Sequence, residues 1–352
     1  MRIIVDVMGG DNSPLETVKG ACLAAEEFPA TYILVGDKDE IERVADENGL
    51  DLSDLDIIHT DSVITMEDIP LSVVRDKGKS SMSTGLRMLA EGKGDVFVTA
   101  GNTGALYTGA TLIVRKIKGI NRAALASVLP MENPMLLLDC GANITVDGEC
   151  LEQFAAMGSA YMKKNCAIES PRVGLLNNGA EPQKGTELHQ SAYKLLAERE
   201  SINFVGNVEA DLVPCGVCDV LVTDGFTGNI MLKSVEGMGK LMGDVIRDMY
   251  SGRVAKFSAL VVKKKLENIK KNFDPGEHGG APLLGISKPV VKAHGSSDAR
   301  AFKNAIRQAI SYYNSGVIYD IAQVAAEFVE RRNPGDSGDA DNIENVKEEN
   351  DQ

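Results

Sequence analysis

No stretch of this chain approaches the roughly 18 uninterrupted apolar residues that a membrane-spanning helix needs, which excludes an integral membrane protein. Histidine is scarce, and His59, His189, His278 and His294 are too dispersed to suggest a metal cluster. Cysteine is limited to Cys22, Cys140, Cys150, Cys166, Cys215 and Cys218, several of them in apolar runs. That usage fits reduced thiols in a cytoplasm better than a disulfide framework. Positive charge is short as well: 37 Lys and Arg stand against 51 Asp and Glu, a net charge of −14, which argues against a general nucleic-acid binder. The opening "MRIIVDV" enters a strand at once and shows neither the apolar region nor the cleavage site of a signal peptide. Named nucleotide motifs are missing too. There is no G-x-x-x-x-G-K-[ST], and no G-x-G-x-x-G follows the first strand with an acidic residue about 20 positions on.

What the chain has in excess is glycine: 35 of 352 residues, above the usual share of about 7%. Hydrophobic content of 43% and charged content of 25% are ordinary for a globular protein, so a sizeable core is available in one large α/β domain or two modest ones. Many glycines follow apolar strands directly, as ligand-facing turns do.

Short apolar runs alternate with helix-period segments along the chain. Strands are expected at 2–7, 31–36, 56–60, 95–100, 123–129, 135–140, 172–177, 202–206 and 219–224. Between them lie patterns such as "MSTGLRMLAEG" and "LHQSAYKLLAERE", with apolar residues three and four apart. This alternation predicts a mainly parallel sheet with helices on both faces, which binds ligands beyond the carboxyl ends of its strands.

The first such end, "VDVMGGDNSP", runs from a strand through Gly9, Gly10 and Asp11 into a helix start. Ser13 is expected as N-cap, Pro14 as the first helical residue and Glu16 as the third, a capping-box pattern that presents backbone N–H groups to an anion. Five further ends follow: Gly101-Asn102-Thr103-Gly104, Cys140-Gly141-Ala142-Asn143, "NGAEPQKG" with Lys184, Asp224-Gly225 leading to Asn229, and "KAHGSSDARA" (292–301). One glycine-rich strand end is more often a tight turn than a site. Six of them, expected to converge on one edge of a parallel sheet, shift the balance towards a site.

Cys215-Gly-Val-Cys218 lacks a second ligand pair for zinc and precedes a strand, unlike a thioredoxin-type pair; ordinary turn and core cysteines are the better reading. Cys140 reads as a buried structural thiol rather than a nucleophile. His294 has two readings, a site role and a capping role. "GGAPLLGI" (279–286) reads as a loop.

Two segments break the pattern. Residues 251–274 carry seven basic residues against Glu267 and Asp274, a local balance of +5, and apolar residues three or four apart. This amphipathic stretch could be a solvated face on its own core, lie on an anionic membrane or dock an acidic protein partner. The tail 333–352 holds seven acidic residues, one lysine and almost nothing to bury, and is expected to be disordered.

Taken in order, "VDVMGGD", "GKSSM", "TAGNTGAL", "LLDCGAN", "NNGAEPQKG", "TDGFTGN" and "HGSSDARA" resemble the bacterial phosphate acyltransferases of phospholipid synthesis, from about residue 1 to 330. That family moves a long-chain acyl group from acyl carrier protein to inorganic phosphate, giving acyl phosphate for glycerol-3-phosphate acyltransferase. The resemblance implies one three-layer α/β/α domain over residues 1–332, akin to phosphotransacetylases and to isocitrate- and isopropylmalate-dehydrogenase-type folds. It also implies a homodimer, no metal, no organic cofactor and a cytoplasmic location with peripheral membrane association. The family's protruding helical hairpin would correspond to 251–274, with Phe257, Leu260 and Val261 on the membrane.

Phosphate is already anionic and can attack a thioester directly, so the enzyme need only hold it, place it and stabilise the oxyanion. Together with the resemblance, this assigns Lys184 and Arg300 to supply positive charge to phosphate, with Ser297 and the Gly101–Gly104 amides as donors. Gly9, Gly10, Asp11, Thr103, Asp224 and Gly225 complete the phosphate and substrate walls. Asn229 and Asn102 are expected to donate to the oxyanion and His294 to assist the departing thiolate, while Asp6, Asp11 and Asp224 orient these donors. A decarboxylating dehydrogenase would need a dinucleotide pocket and a metal-binding carboxylate cluster, neither visible in the sequence. The non-enzyme alternative is a membrane-surface adaptor that binds acylated carrier protein.

Overall fold

Strand β1 (Arg2–Asp6) is buried along all but its first residue, the mark of a parallel strand covered on both faces. The computed structural model describes residues 1–332 apart from 130, 132–133 and 250–274. The segment expected at the membrane, with Phe257, Leu260 and Val261, and the acidic tail therefore lie outside the described residues.

Successive elements are α1 (Leu15–Glu27), β2 (Thr31–Gly36), α2 (Lys38–Asn48), β3 (Leu55–His59), α3 (Ser81–Ala90), β4 (Val96–Thr99), α4 (Thr103–Gly109), β5 (Ala124–Leu129) and β6 (Met135–Leu138). Next come α5 (Gly148–Asn165), β7 (Arg172–Leu176), α6 (Glu187–Glu198), β8 (Asn203–Val208), β9 (Val220–Val222) and α7 (Gly225–Met249). After residue 274 come a single helical turn, α8 (Pro275–His278), then β10 (Ala281–Leu284), β11 (Val290–Lys292), α9 (Ala299–Asn314) and α10 (Val317–Arg332). The strands form one sheet in the order β3-β2-β1-β4-β11-β10-β5-β6-β9-β7-β8.

Period-2 alternation sorts the core into two layers. Ile3 and Val5 of β1, Val96 and Val98 of β4, and Leu136 and Leu138 of β6 enter one apolar cluster with Phe154 of α5 and Phe302 of α9. Ile4, Phe97 and Leu137 point the other way, onto Leu86 of α3 and Leu106 of α4. The three-layer arrangement follows from these strands being apolar on both faces.

All nine expected strands are present, but the sheet is not parallel throughout. The pairs β11–β10, β10–β5 and β5–β6 are antiparallel. The strands β6, β9, β7 and β8 therefore run opposite to β1, β2, β3, β4 and β11, and the six glycine-rich ends do not converge on one edge. They form two groups, after β1, β4 and β11 and after β6, β7 and β9, on opposite edges. The net inversion is made at the β5–β6 pair, because β11 and β5 are both antiparallel to β10 and so run alike. "GGAPLLGI" is no loop, since Ala281–Leu284 is a buried strand inserted between them at the sheet centre. Because β10 has four residues and β11 three, the edges are only about 10–13 Å apart there, and the two groups meet.

The capping box is also corrected. The first helical residue is Leu15, and Pro14 occupies the cap position without a side-chain cap bond. The Ser13 hydroxyl instead donates to Met8 O and Gly10 O, both at 2.8 Å, closing the glycine turn. Glu16 accepts the Ala299 N–H at 2.8 Å and so caps α9 rather than its own helix. A buried ion cluster fastens the far side: Glu152 of α5 takes Arg199 at 3.1 Å and Arg331 of α10 at 2.7 Å.

Candidate active site

A cavity of about 390 Å³ opens where the two groups of loops meet, lined by Thr103, Cys140, Gly141, Asn229, Lys292 and His294 among others. Helix α7 forms one wall because its start is fixed from three sides. The Gly225 N–H donates to Asn143 O at 2.7 Å. The Asp224 carboxylate accepts the N–H groups of Phe226 and Thr227 at 2.9 and 3.0 Å and the Thr227 hydroxyl at 2.7 Å. A Cβ at Gly228 would lie 1.9 Å from Asp139 O, so only glycine lets the helix seat this close. From that seat Asn229, Lys233 and Glu236 face the cavity, spaced four and three residues apart on one helical face.

Asp139 builds the loop beneath. One carboxylate oxygen accepts the N–H groups of Leu125, Gly141 and Ala142 at 3.0, 3.2 and 3.1 Å. The other accepts the backbone and side-chain N–H groups of Asn143 at 2.6 and 2.9 Å. Burial pushes the Asp139 carboxyl up from its ordinary value, and these donors oppose the shift. Burial pushes the Cys140 thiol well up too, which suits a structural thiol and not a nucleophile.

On the other wall, Asp6 accepts Thr99 Oγ1 at 2.8 Å, and Thr99 Oγ1 accepts the Gly101 N–H at 2.9 Å. Gly9 packs against Gly101, where a Cβ would approach the Gly101 Cα to 2.8 Å. The Asp11 N–H donates to Gly295 O at 2.8 Å, joining the first loop to the last. Lys292, buried at the end of β11, donates to Ala100 O at 3.0 Å and to Ala293 O. Burial holds its ammonium down to about 8, against the pull of Asp11 and Asp6.

His294 stands at the cavity mouth, with Nδ1 2.9 Å from Ser296 Oγ and Nε2 3.0 Å from Lys233 Nζ. An ammonium can only donate, so Nε2 accepts from Lys233, while Nδ1 also lies 3.3 Å from the Ser296 N–H. Partial burial, then the Lys233 charge, keep this imidazole below its usual value. Lys233 also pairs with Glu236 at 2.7 Å.

Of the residues expected from sequence, Asn229, His294 and Thr103 line the cavity, while Gly9, Gly10, Asp11 and Gly101 lie in the loops that shape it and Gly104 is in the first turn of α4. Asn102 has its amide engaged: its oxygen accepts the Ala105 N–H at 3.0 Å, and its nitrogen is 3.2 Å from each of Thr65 O, Met66 O and Asp68 O. Its observed work is to cap α4 and pin the 65–68 loop. Ser297 is buried, with its N–H on His294 O at 3.1 Å. Lys184 is exposed on the loop after β7, its N–H on Glu181 O and its stem over Gly179, and is not a cavity wall. Arg300 pairs with Glu277 at 2.8 Å and also stands outside the wall.

Sequence reasoning missed Lys233, Glu236 and Lys292. The signals were present: Lys233 follows Asn229 by one helical turn, and Lys292 ends an otherwise apolar strand. Among the described residues, no group of three or more His, Cys, Asp or Glu side chains is placed to hold a metal.

The fold belongs with the phosphotransacetylases. A Streptococcus pyogenes phosphotransacetylase superposes with a TM-score of 0.58 at 18% identity, covering 93% of this chain and 94% of that one. A 4-hydroxythreonine-4-phosphate dehydrogenase from Klebsiella pneumoniae gives 0.53 at 14% identity, covering 92% and 99%. In sequence, the family described as "Fatty acid synthesis protein" matches residues 1–320. A phosphate acyltransferase of Thermoanaerobacterium thermosaccharolyticum is 44% identical over 91% of this chain and 96% of its own length. Another, from Clostridioides difficile, is 41% identical over 94% and 98%. The chain belongs to the phosphate acyltransferase family.

Proposed function

We propose that the protein transfers a long-chain acyl group from acyl carrier protein to inorganic phosphate, giving the acyl phosphate used in phosphatidic acid synthesis. The observation that carries this reading is the cavity itself, where an amide donor, Asn229, faces two ammonium groups and a neutral imidazole in a chain of this family. The hydrogen phosphate dianion attacks the thioester carbonyl through one oxygen, and negative charge collects on the carbonyl oxygen. Asn229 donates to that oxyanion. Collapse breaks the C–S bond; the proton brought by hydrogen phosphate ends on the thiolate sulfur, with His294 at the mouth to pass it. Acyl phosphate dianion and free thiol are the products, and the nucleophile is the phosphate itself, so the scheme needs no metal or organic cofactor.

Lys184 and Arg300, both exposed, raise the positive potential around the entrance and draw phosphate and an acidic carrier protein towards it. Gly101, the start of α4 and Ser297 shape the wall on which the pantetheine arm lies. The protein works as a homodimer at the membrane surface and hands its product to glycerol-3-phosphate acyltransferase. Among the described residues no helix is long and apolar enough to cross a membrane. The outer face of α7 exposes Met238, Leu241, Met242, Val245 and Met249, an apolar stripe that supports association with a second copy.

The test is to incubate the protein with palmitoyl-acyl carrier protein and phosphate and trap acyl phosphate with hydroxylamine. A phosphate-dependent hydroxamate is expected. Carrier-protein binding without product would instead establish the adaptor.

A further inference from the structure

Lys292 is a buried ammonium whose charge has no ion-pair partner among the described residues. Its side chain lines the cavity, and two of its three donors are taken by Ala100 O and Ala293 O. Asp6 and Asp11 act on it only from a distance, without a bond. A buried cation is costly until an anion meets it, so the cavity beside Lys292 favours an anionic guest. Lys233 stands on the facing wall, paired with Glu236 and resting on His294. Gly280 and Gly295 line the same cavity as Lys292 and Lys233 and put no side chain into it.

We infer that Lys292 and Lys233 form the seat of a tetrahedral phosphate dianion, the acyl acceptor, with Lys292 as the fixed inner contact and Lys233 as the outer one. This rests on the acyl-transfer reading and adds the residues that hold the nucleophile. On binding, Lys233 exchanges Glu236 for a phosphate oxygen, while Lys292 gives its third N–H. Asn229 lies one turn before Lys233 on the same helical face, about 5–6 Å away, so a phosphate seated here has the oxyanion donor beside it. Lys184 and Arg300 stand outside the cavity lining and steer phosphate inward rather than binding it.

The test uses the full-length protein and two measurements. In steady-state assays Lys292→Met and Lys233→Met should each raise the KM for phosphate, by about tenfold or more for Lys292, as loss of one charge-assisted hydrogen bond implies. The KM for acyl-carrier protein should stay within about twofold. Calorimetric titration with inorganic phosphate alone should show the same weakening, and Glu236→Gln should tighten binding by freeing Lys233. Lys233 is exposed, so its variant reports even if the Lys292 variant does not fold. A phosphate KM and affinity unchanged in Lys233→Met, or a change confined to the acyl donor, overturns the assignment. If the wild-type protein makes no acyl phosphate, the acyl-transfer reading fails. Phosphate binding that these two substitutions abolish would still establish the seat, and binding they leave intact would refute it.

Discussion

The ammonium nitrogen of Lys233 stands 3.0 Å from Nε2 of His294, a contact that ties helix α7 to the loop after β11 and closes the cavity between them. The lysine charge opposes protonation of the ring. Removing it in Lys233→Met should therefore raise the His294 titration midpoint towards the ordinary value of about 6.5. Proton-exchange NMR of the ring signal measures this. An unchanged or lowered midpoint would mean that Lys233 does not face the imidazole in solution.

Lys292 gives the protein a pH dependence on the alkaline side. Its ammonium is held down to about 8 by burial, with Asp11 and Asp6 pulling it up and Lys233 pushing it down. Hydrogen phosphate is already dianionic there, so above pH 8 the KM for phosphate should climb about tenfold per unit as one proton leaves the seat. For stability the sign is opposite. Between about pH 8 and the unfolded value near 10.4 the unfolded chain binds the extra proton, so this group's contribution to stability grows with pH. A phosphate KM flat from pH 8 to 9.5 would contradict the assignment.

Asn102 should behave as a positioning residue. Asn102→Ala removes a helix cap and three carbonyl contacts and should cost about 1–3 kcal/mol in urea denaturation. Asn102→Asp keeps the cap acceptor but loses the carbonyl contacts, and should recover part of that stability. Full stability in Asn102→Ala with collapsed turnover would return the residue to the oxyanion.

Lys184→Met should lower kcat/KM by less than about tenfold with kcat nearly unchanged, the scale of a screened charge that steers substrate inward. The side chain is exposed, so the melting temperature should hold. A loss of kcat of about a hundredfold would instead place Lys184 at the reacting groups.

Glu152 is fully buried between Arg199 and Arg331. Glu152→Ala should cost about 1–3 kcal/mol, because it removes charged hydrogen bonds from two arginines that keep only Glu327 at 2.6 Å and Glu149 at 3.9 Å. Activity at low temperature should be preserved, since no Glu152 contact reaches the cavity. Unchanged denaturation would show that the cluster adds nothing to the packing of α10.

The strands and the glycine-rich ends were legible because each carries a local signal: a fully apolar run, then a turn residue. The sheet's central reversal was not. It is made at the antiparallel β5–β6 pair. The strand that joins the halves, Ala281–Leu284, is a four-residue run containing Pro282 and flanked by glycines, which by local rules reads as a loop and becomes a strand only between β11 and β5. Site residues divide the same way. Asn229 and His294 sit in conspicuous motifs, whereas Lys233 and Lys292 matter only because an antiparallel centre folds two distant edges over one cavity. Ser13 and Glu16 matched a capping pattern whose donors and acceptors were claimed by tertiary partners.

The central claim is that phosphate attacks the thioester directly in this cavity, with no acyl group passing through the protein. The most direct measurement is intact-protein mass spectrometry after mixing with palmitoyl-acyl carrier protein, first without phosphate and then with it. An unmodified protein mass in both, with acyl phosphate formed only in the second, is the predicted result. A palmitoyl adduct on the protein that phosphate then discharges would contradict it.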